Sequence, residues 1–245
     1  MSLAGVVFGA ASHAAALFGH RKARAWWTGR LLPAPEGPFD LWIHGASWGE
    51  FWMLEPLVRT WAASGQRVLI TFFSPSGIQG WQRYSAPDGV VAALVPPDFN
   101  PYVRRFVDRI QPKALLVLQT DLWPTLVREC LRRGIPYGLA FAHVPPGHRW
   151  WSALGFGDRR LLRQAAFVGL QHPSGLQPAL RAGLPALVLG DGRFDAAAAR
   201  MTRKFGRTSL AWASYCLTIL VQAAVCSRQT SRCLSSPAKL RHGPR

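Results

Sequence analysis

Residues 41–65 read LWIHGASWGEFWMLEPLVRTWAASG. The stretch opens on an apolar run, Leu41-Trp42-Ile43, passes through a loop containing Gly45, Ser47 and Gly49, and continues as an amphipathic segment that stops at Ser64-Gly65. A short apolar run bounded by turn residues suits a buried strand, and the following period suits a helix, so the unit reads strand, loop, helix. Comparable apolar runs recur at Val68–Phe73, Val90–Val95, Ala114–Leu118, Tyr137–Phe141, Phe167–Leu170 and Ala186–Leu189. Helical patterns lie between them, such as NPYVRRFVDRIQP (100–112) and WPTLVRECLRRGIP (123–136), the latter ending at the stop signals Gly134 and Pro136. Strands alternating with helices predict right-handed βαβ units and an α/β fold with a Rossmann-like, doubly wound parallel sheet. In such sheets the ligand crevice lies outside the carboxyl ends of the strands. Seven loops fall there: HGASWGE, SPSG, PPDF, QTDLWP, AHVPPGH, QHPSG and GDGRFD.

Three regions are expected around this pattern. Residues 38–195 carry the alternation and form the Rossmann-like domain, after the linker LPAPEGPFD (32–40). Residues 1–30 hold an apolar run, Leu3–Phe18, followed by His20, Arg21, Lys22, Arg24, Trp26 and Trp27. Cations and indoles beside a short apolar run suit a helix at a membrane interface, and an ordinary packed first helix is the alternative. Residues 196–245 contain nine Lys/Arg, no Asp or Glu, and Cys216, Cys226 and Cys233. This tail continues no βα alternation, and its apolar piece, Leu210–Val225, falls short of a membrane span of about twenty residues. It reads as sequence foreign to the domain, the product of truncation or a frameshift after about residue 200.

The formal net charge of +17 is concentrated in that tail. Anionic lipid or a phosphorylated substrate suits such a balance; nucleic acid is not expected as a partner, since no reader motif accompanies the charge. With 49% hydrophobic residues, a sizeable core is expected. The four cysteines make no zinc spacing and no CxxC, and no HExxH, P-loop, GxSxG or GxGxxG is present, so no metal or cofactor is expected.

Ser47 and Glu50 have the spacing of a capping box, in which Ser47 accepts from the Glu50 N–H and Glu50 reaches back to the Ser47 N–H. On the carboxyl rim the same Glu50 could instead take a proton from a substrate hydroxyl, with Gly45 and Gly49 letting backbone approach a ligand. Ser74, Ser76 and Gly77 mark either an anion-holding helix start or a turn with a capping serine. Asp121 reads as the N-cap of the helix opened by Trp123-Pro124. His143 stands in a loop, where a lone histidine is structural more often than not.

Taken in order, WIHGASWGE, TFFSPSG, VPPDFNPYVRRFVDRIQPKALLVLQTDLWPTLVRECLRRGIP and GDGRFD resemble the N-terminal domain of 3-deoxy-D-manno-octulosonic acid (Kdo) transferases. The resemblance runs from about residue 1 to Asp195. It implies one half of a GT-B glycosyltransferase, whose two Rossmann-like domains face each other across a cleft. It further implies inverting transfer of Kdo from CMP-Kdo to a lipid A precursor, with no metal, at the cytoplasmic face of the bacterial inner membrane. By this resemblance Glu50 is the base, Asp121 corresponds to the acidic residue that the family carries before Trp-Pro, and Ser74 to Gly77 is a segment facing the acceptor phosphates or the bilayer. Substrate-binding roles are expected for Ser47, Gly49, Ser74, Ser76, Gly77, Asp121, Trp123 and His143. The chain departs from the family at Gln119, where many members carry Glu, and it shows no continuation into the donor-binding half. An acceptor-binding or membrane-associated remnant without catalysis of its own is the competing expectation.

Overall fold

In a computed structural model of the chain, the described residues are 30, 33–145, 147–194, 196 and 197; the side chain of Leu154 is not described. Within them lies a seven-stranded, all-parallel sheet of order β3-β2-β1-β4-β5-β6-β7. Its strands are β1 (Leu41–Gly45), β2 (Val68–Phe72), β3 (Val90–Leu94), β4 (Leu115–Leu118), β5 (Tyr137–Ala142), β6 (Phe167–Leu170) and β7 (Ala186–Val188). All seven expected runs are strands. The helices are α1 (Trp48–Ala63), α2 (Pro75–Trp81), α3 (Asn100–Ile110), α4 (Pro124–Arg132), α5 (Phe156–Leu162) and α6 (Leu176–Arg181).

Two cores flank the sheet because a parallel strand covered on both faces sends alternate side chains each way. Leu41, Ile43, Leu116 and Leu118 join the helix α1 residues Phe51, Leu54, Leu57, Val58 and Trp61 in one core. Trp42, Leu69, Leu115 and Val117 join Val103 and Phe106 of α3, Leu126 and Cys130 of α4, and Leu161 of α5 in the other. The inner strands are buried throughout, whereas the edge strands β3 and β7 are partly open.

Chain order reverses between β1 and β4, which makes that boundary the topological switch point. Beyond the strands the pairing continues into the loops: the Phe73 N–H donates to the Gly45 carbonyl at 3.2 Å, and the Ser74 N–H to the Ala46 carbonyl at 2.8 Å.

Gly77 is buried in α2 for steric reasons. A Cβ built there would lie 2.3 Å from Phe72 Cγ. Gly77→Ala is therefore expected to destabilise the fold by about 1–3 kcal/mol through overpacking. A urea midpoint unchanged from the parent would contradict this packing.

The expected membrane-associated segment and the basic tail fall outside the described residues, apart from Arg30, Ala196 and Ala197. Among the described residues no helix is long and apolar enough to cross a membrane. Arg30 itself is buried: its guanidinium lies 5.1 Å from the Phe73 ring centroid and donates to the Phe73 carbonyl. This last base of the expected interfacial stretch packs into the domain.

Candidate active site at the switch point

Strand β1 delivers HGASWGE and strand β4 delivers QTDLWP to the two sides of the switch point. Ser47 takes the N-cap position of α1 with extended backbone, but its side chain makes no capping hydrogen bond. Glu50 reaches past Ser47: its Oε2 accepts from the Ala46 N–H at 2.6 Å, and its Oε1 faces the Ser47 hydroxyl at 3.4 Å. The reciprocal capping box is thus not formed. What forms instead is a half-buried carboxylate, pinned on one oxygen by a backbone donor and held more loosely on the other.

Burial raises the Glu50 carboxyl above its ordinary value, and the Asp121 charge pushes the same way, against the Ala46 N–H and Ser47 bonds that favour the anion. The Asp121 carboxylate therefore acts on Glu50 across the switch point. A Cβ at Gly45 would come 3.3 Å from Glu50 Oε2 and 3.1 Å from Leu118 Cδ1, so this glycine keeps β1 and β4 close beneath the carboxylate. Gly49 is exposed, and a Cβ there would meet only Ser47 Oγ, at 3.8 Å.

Asp121 is exposed and does not cap α4. Trp123 occupies the N-cap position in left-handed backbone, φ 43° and ψ 73°, without a side-chain cap. The helix start is satisfied from elsewhere: Asp98, in the PPDF loop, accepts from Thr125 N–H at 3.1 Å and Leu126 N–H at 2.9 Å. Gln119, just after β4, and Phe141, next to last in β5, also have positive φ on the same rim. Three of the four non-glycine residues with positive φ among the described residues thus lie on this rim, Gln111 at the end of α3 being the other, and strained backbone clusters at functional sites.

Trp123 sets its ring edge-on to His44 at 4.8 Å and 5.2 Å from Phe73. His44 is buried, with Nδ1 2.9 Å from Thr71 Oγ1, and burial pushes its imidazole down to about 3. A ring so held is neutral near pH 7. Its Nε2 and the Trp123 Nε1 have no hydrogen-bond partner among the described residues.

Ser74 caps α2, its hydroxyl accepting from the Ser76 N–H at 3.3 Å and lying 2.7 Å from the Ser76 hydroxyl. Of the two readings of this segment, the capping serine is formed, and the Cβ direction of Gly77 faces Phe72. His143 is exposed after β5, where its charge acts on Asp191 of the GDGRFD loop and on His148. Among the described residues no hydrogen bond or ring contact joins it to Glu50, so the structure groups it with a different part of the rim. No cluster among the described residues could hold a metal ion.

Beside the Glu50 loop, between α1 and α2, a groove of about 720 Å3 opens. Trp48, Trp52 and Tyr84 wall it, with Ser76, Arg59 and Arg83 around the edge. Gly80 admits Trp48, whose ring lies 2.3 Å from where a Cβ would stand.

A family model described as 3-deoxy-D-manno-octulosonic-acid transferase (kdotransferase) matches residues 18–196. The chain belongs to the Kdo transferase family. The matched region is its N-terminal domain. A Kdo transferase of Haemophilus influenzae is 35% identical over 114 residues, covering 46% of this chain and 26% of the relative. One from Bordetella pertussis is 32% identical over 133 residues, covering 53% of this chain and 29% of the relative. The matched stretch therefore spans under a third of the length of these relatives. Among solved structures, the UDP-GlcNAc 2-epimerase of Neisseria meningitidis aligns at 12% identity and TM-score 0.49, over 69% of this chain and 51% of that one.

Two residues of the Kdo transferase rim escaped the sequence reading. His44 could have been found from alternation, since it follows Trp42 by two and so shares its buried face. Asp98 lies 27 positions before Thr125, and no local pattern links them.

Proposed function

We propose that this domain is the acceptor half of a GT-B glycosyltransferase that moves Kdo from CMP-Kdo to a lipid A precursor. The observation that carries the reading is Glu50 at the switch point, half-buried, pinned by the Ala46 N–H and raised above its ordinary value by burial and by Asp121. Such a carboxylate is a better base than a solvated one. Glu50 takes the proton of an acceptor sugar hydroxyl as the oxygen attacks the anomeric carbon of Kdo. The bond to the CMP phosphate breaks on the opposite face, so configuration inverts. CMP leaves as a stable anion, and the step needs no metal or cofactor. CMP-Kdo is presented by the facing GT-B half; no described residue is assigned to it.

The acceptor lies along the rim and enters the groove, whose aromatic wall includes Trp52 for contact with sugar rings, with Arg83 a cation for phosphate. Ser47, Gly49 and Trp123 border the reacting hydroxyl, while Ser76 lines the groove and Ser74 and Gly77 build the start of α2 beside it. His143 contributes from the far side of the rim. A lipid acceptor suits work at a membrane surface, in this reading the cytoplasmic face of the inner membrane.

The purified chain is expected to bind vesicles carrying the lipid A precursor more tightly than vesicles of phosphatidylcholine alone. Arg83→Glu is expected to weaken that preference about tenfold, because like charges then face each other. Equal binding to both vesicle types would sink the acceptor-side reading.

A further inference from the structure

We propose that Asp98 is a positioning residue that builds the reactive rim from a distance, by capping α4 so that Asp121 is left outside the helix. The proposal rests on the reading of Glu50 as the base and of Asp121 as the neighbouring charge that raises it.

Pro124 has no N–H, so Thr125 and Leu126 carry the first two free amides of α4. Asp98 takes both, one on each carboxylate oxygen. An N-cap side chain normally comes from the residue just before the helix. Here that residue is Trp123, and its indole is committed to His44 and Phe73. The left-handed backbone at Trp123 is costly for a bulky residue and lasts only where its surroundings over-determine it. Fixing the next two amides from the PPDF loop supplies that constraint. Because Asp98 satisfies the helix start, Asp121 has no local partner to satisfy, and its carboxylate remains exposed where it acts on Glu50. Burial raises the Asp98 carboxyl, and those two amides, the Thr125 hydroxyl and Arg128 offset part of that rise.

Heteronuclear NMR of the full chain tests this through the His44 ring and Trp123 indole signals. Asp98→Ala is expected to abolish the cross-relaxation between the two rings, whereas Asp121→Ala leaves it intact. Retention in a folded Asp98→Ala variant, or its loss in Asp121→Ala, would overturn the proposal. Should Asp98→Ala not fold, Asp98→Asn keeps one acceptor, and amide exchange at Thr125 or Leu126 should then quicken at least about tenfold. Unchanged exchange at both amides counts against the idea equally. In a full-length Kdo transferase, the aligned Asp→Asn change should lower kcat while leaving the acceptor KM in place. If kcat holds there although Glu50→Gln abolishes transfer, the positioning role is wrong. If Glu50→Gln also leaves transfer intact, the fault lies in the functional reading instead.

Discussion

Replacing Glu50 with Gln is expected to lower kcat for Kdo transfer by about 10²–10⁴-fold, the usual worth of a positioned general base. The measurement belongs at the aligned position of a full-length family member, with CMP-Kdo and the lipid A precursor as substrates. Glutamine keeps the shape and an oxygen to accept from the Ala46 N–H, so the loop is preserved and the acceptor KM should change little. The pH profile adds a second, independent reading. Only the ionised carboxyl takes a proton, so kcat/KM falls as pH drops through the Glu50 value. Burial and the Asp121 charge raise that value, and the acid limb should stand above the ordinary carboxylate range. Asp121→Asn removes the like charge and should move the limb to lower pH. A limb that stays in place would mean that the two carboxylates do not interact.

Trp42→Ala should cost about 3–5 kcal/mol, a large part of the roughly 5–15 kcal/mol that holds a domain together. Trp42 is fully buried on β1, with its ring 5.4 Å from Phe106 of α3. Truncation opens a cavity between the central strand and the crossover helix, where neither can collapse without disturbing the switch point. It also removes the indole N–H that donates to Thr71 Oγ1 at 2.8 Å, and this hydroxyl in turn holds His44 Nδ1. Trp42→Phe separates the two contributions: it keeps most of the ring and loses the hydrogen bond, for about 1 kcal/mol plus a smaller packing loss. Urea denaturation should show the alanine midpoint falling by more than about 1 M. A shift as small as that of the phenylalanine variant would show that the core relaxes around the missing ring.

The sheet was legible because a parallel strand buried on both faces is an unbroken apolar run, and this chain separates its runs with Gly, Pro, Ser and Asp. Even β3 and β7, half-exposed at the edges, kept enough Val, Ala and Leu to be found. The positions of Glu50 and Asp121 followed from the same logic, since both stand just after a strand. Their local roles did not. The spacing of Ser47 and Glu50 is that of a capping box, but it does not say which backbone donor the carboxylate will reach, and Ala46 takes the place of Ser47. Asp121 precedes a helix and so resembles a cap. The true cap, Asp98, reaches α4 through tertiary folding that adjacent residues do not encode. Nor does propensity announce a tryptophan in left-handed backbone, although its place before Pro124 disfavours the ordinary helical alternative.

The hydrogen bonds from Phe73 and Ser74 to Gly45 and Ala46 carry one more consequence. They rivet the loop bearing Glu50 to the loop opening α2, so the two behave as one stiff plate. Neither can fold over a substrate by itself. On the proposed function, shielding of the reaction from water falls to whatever approaches this plate from outside, and the domain serves as an anvil for the acceptor rather than as a hand that closes.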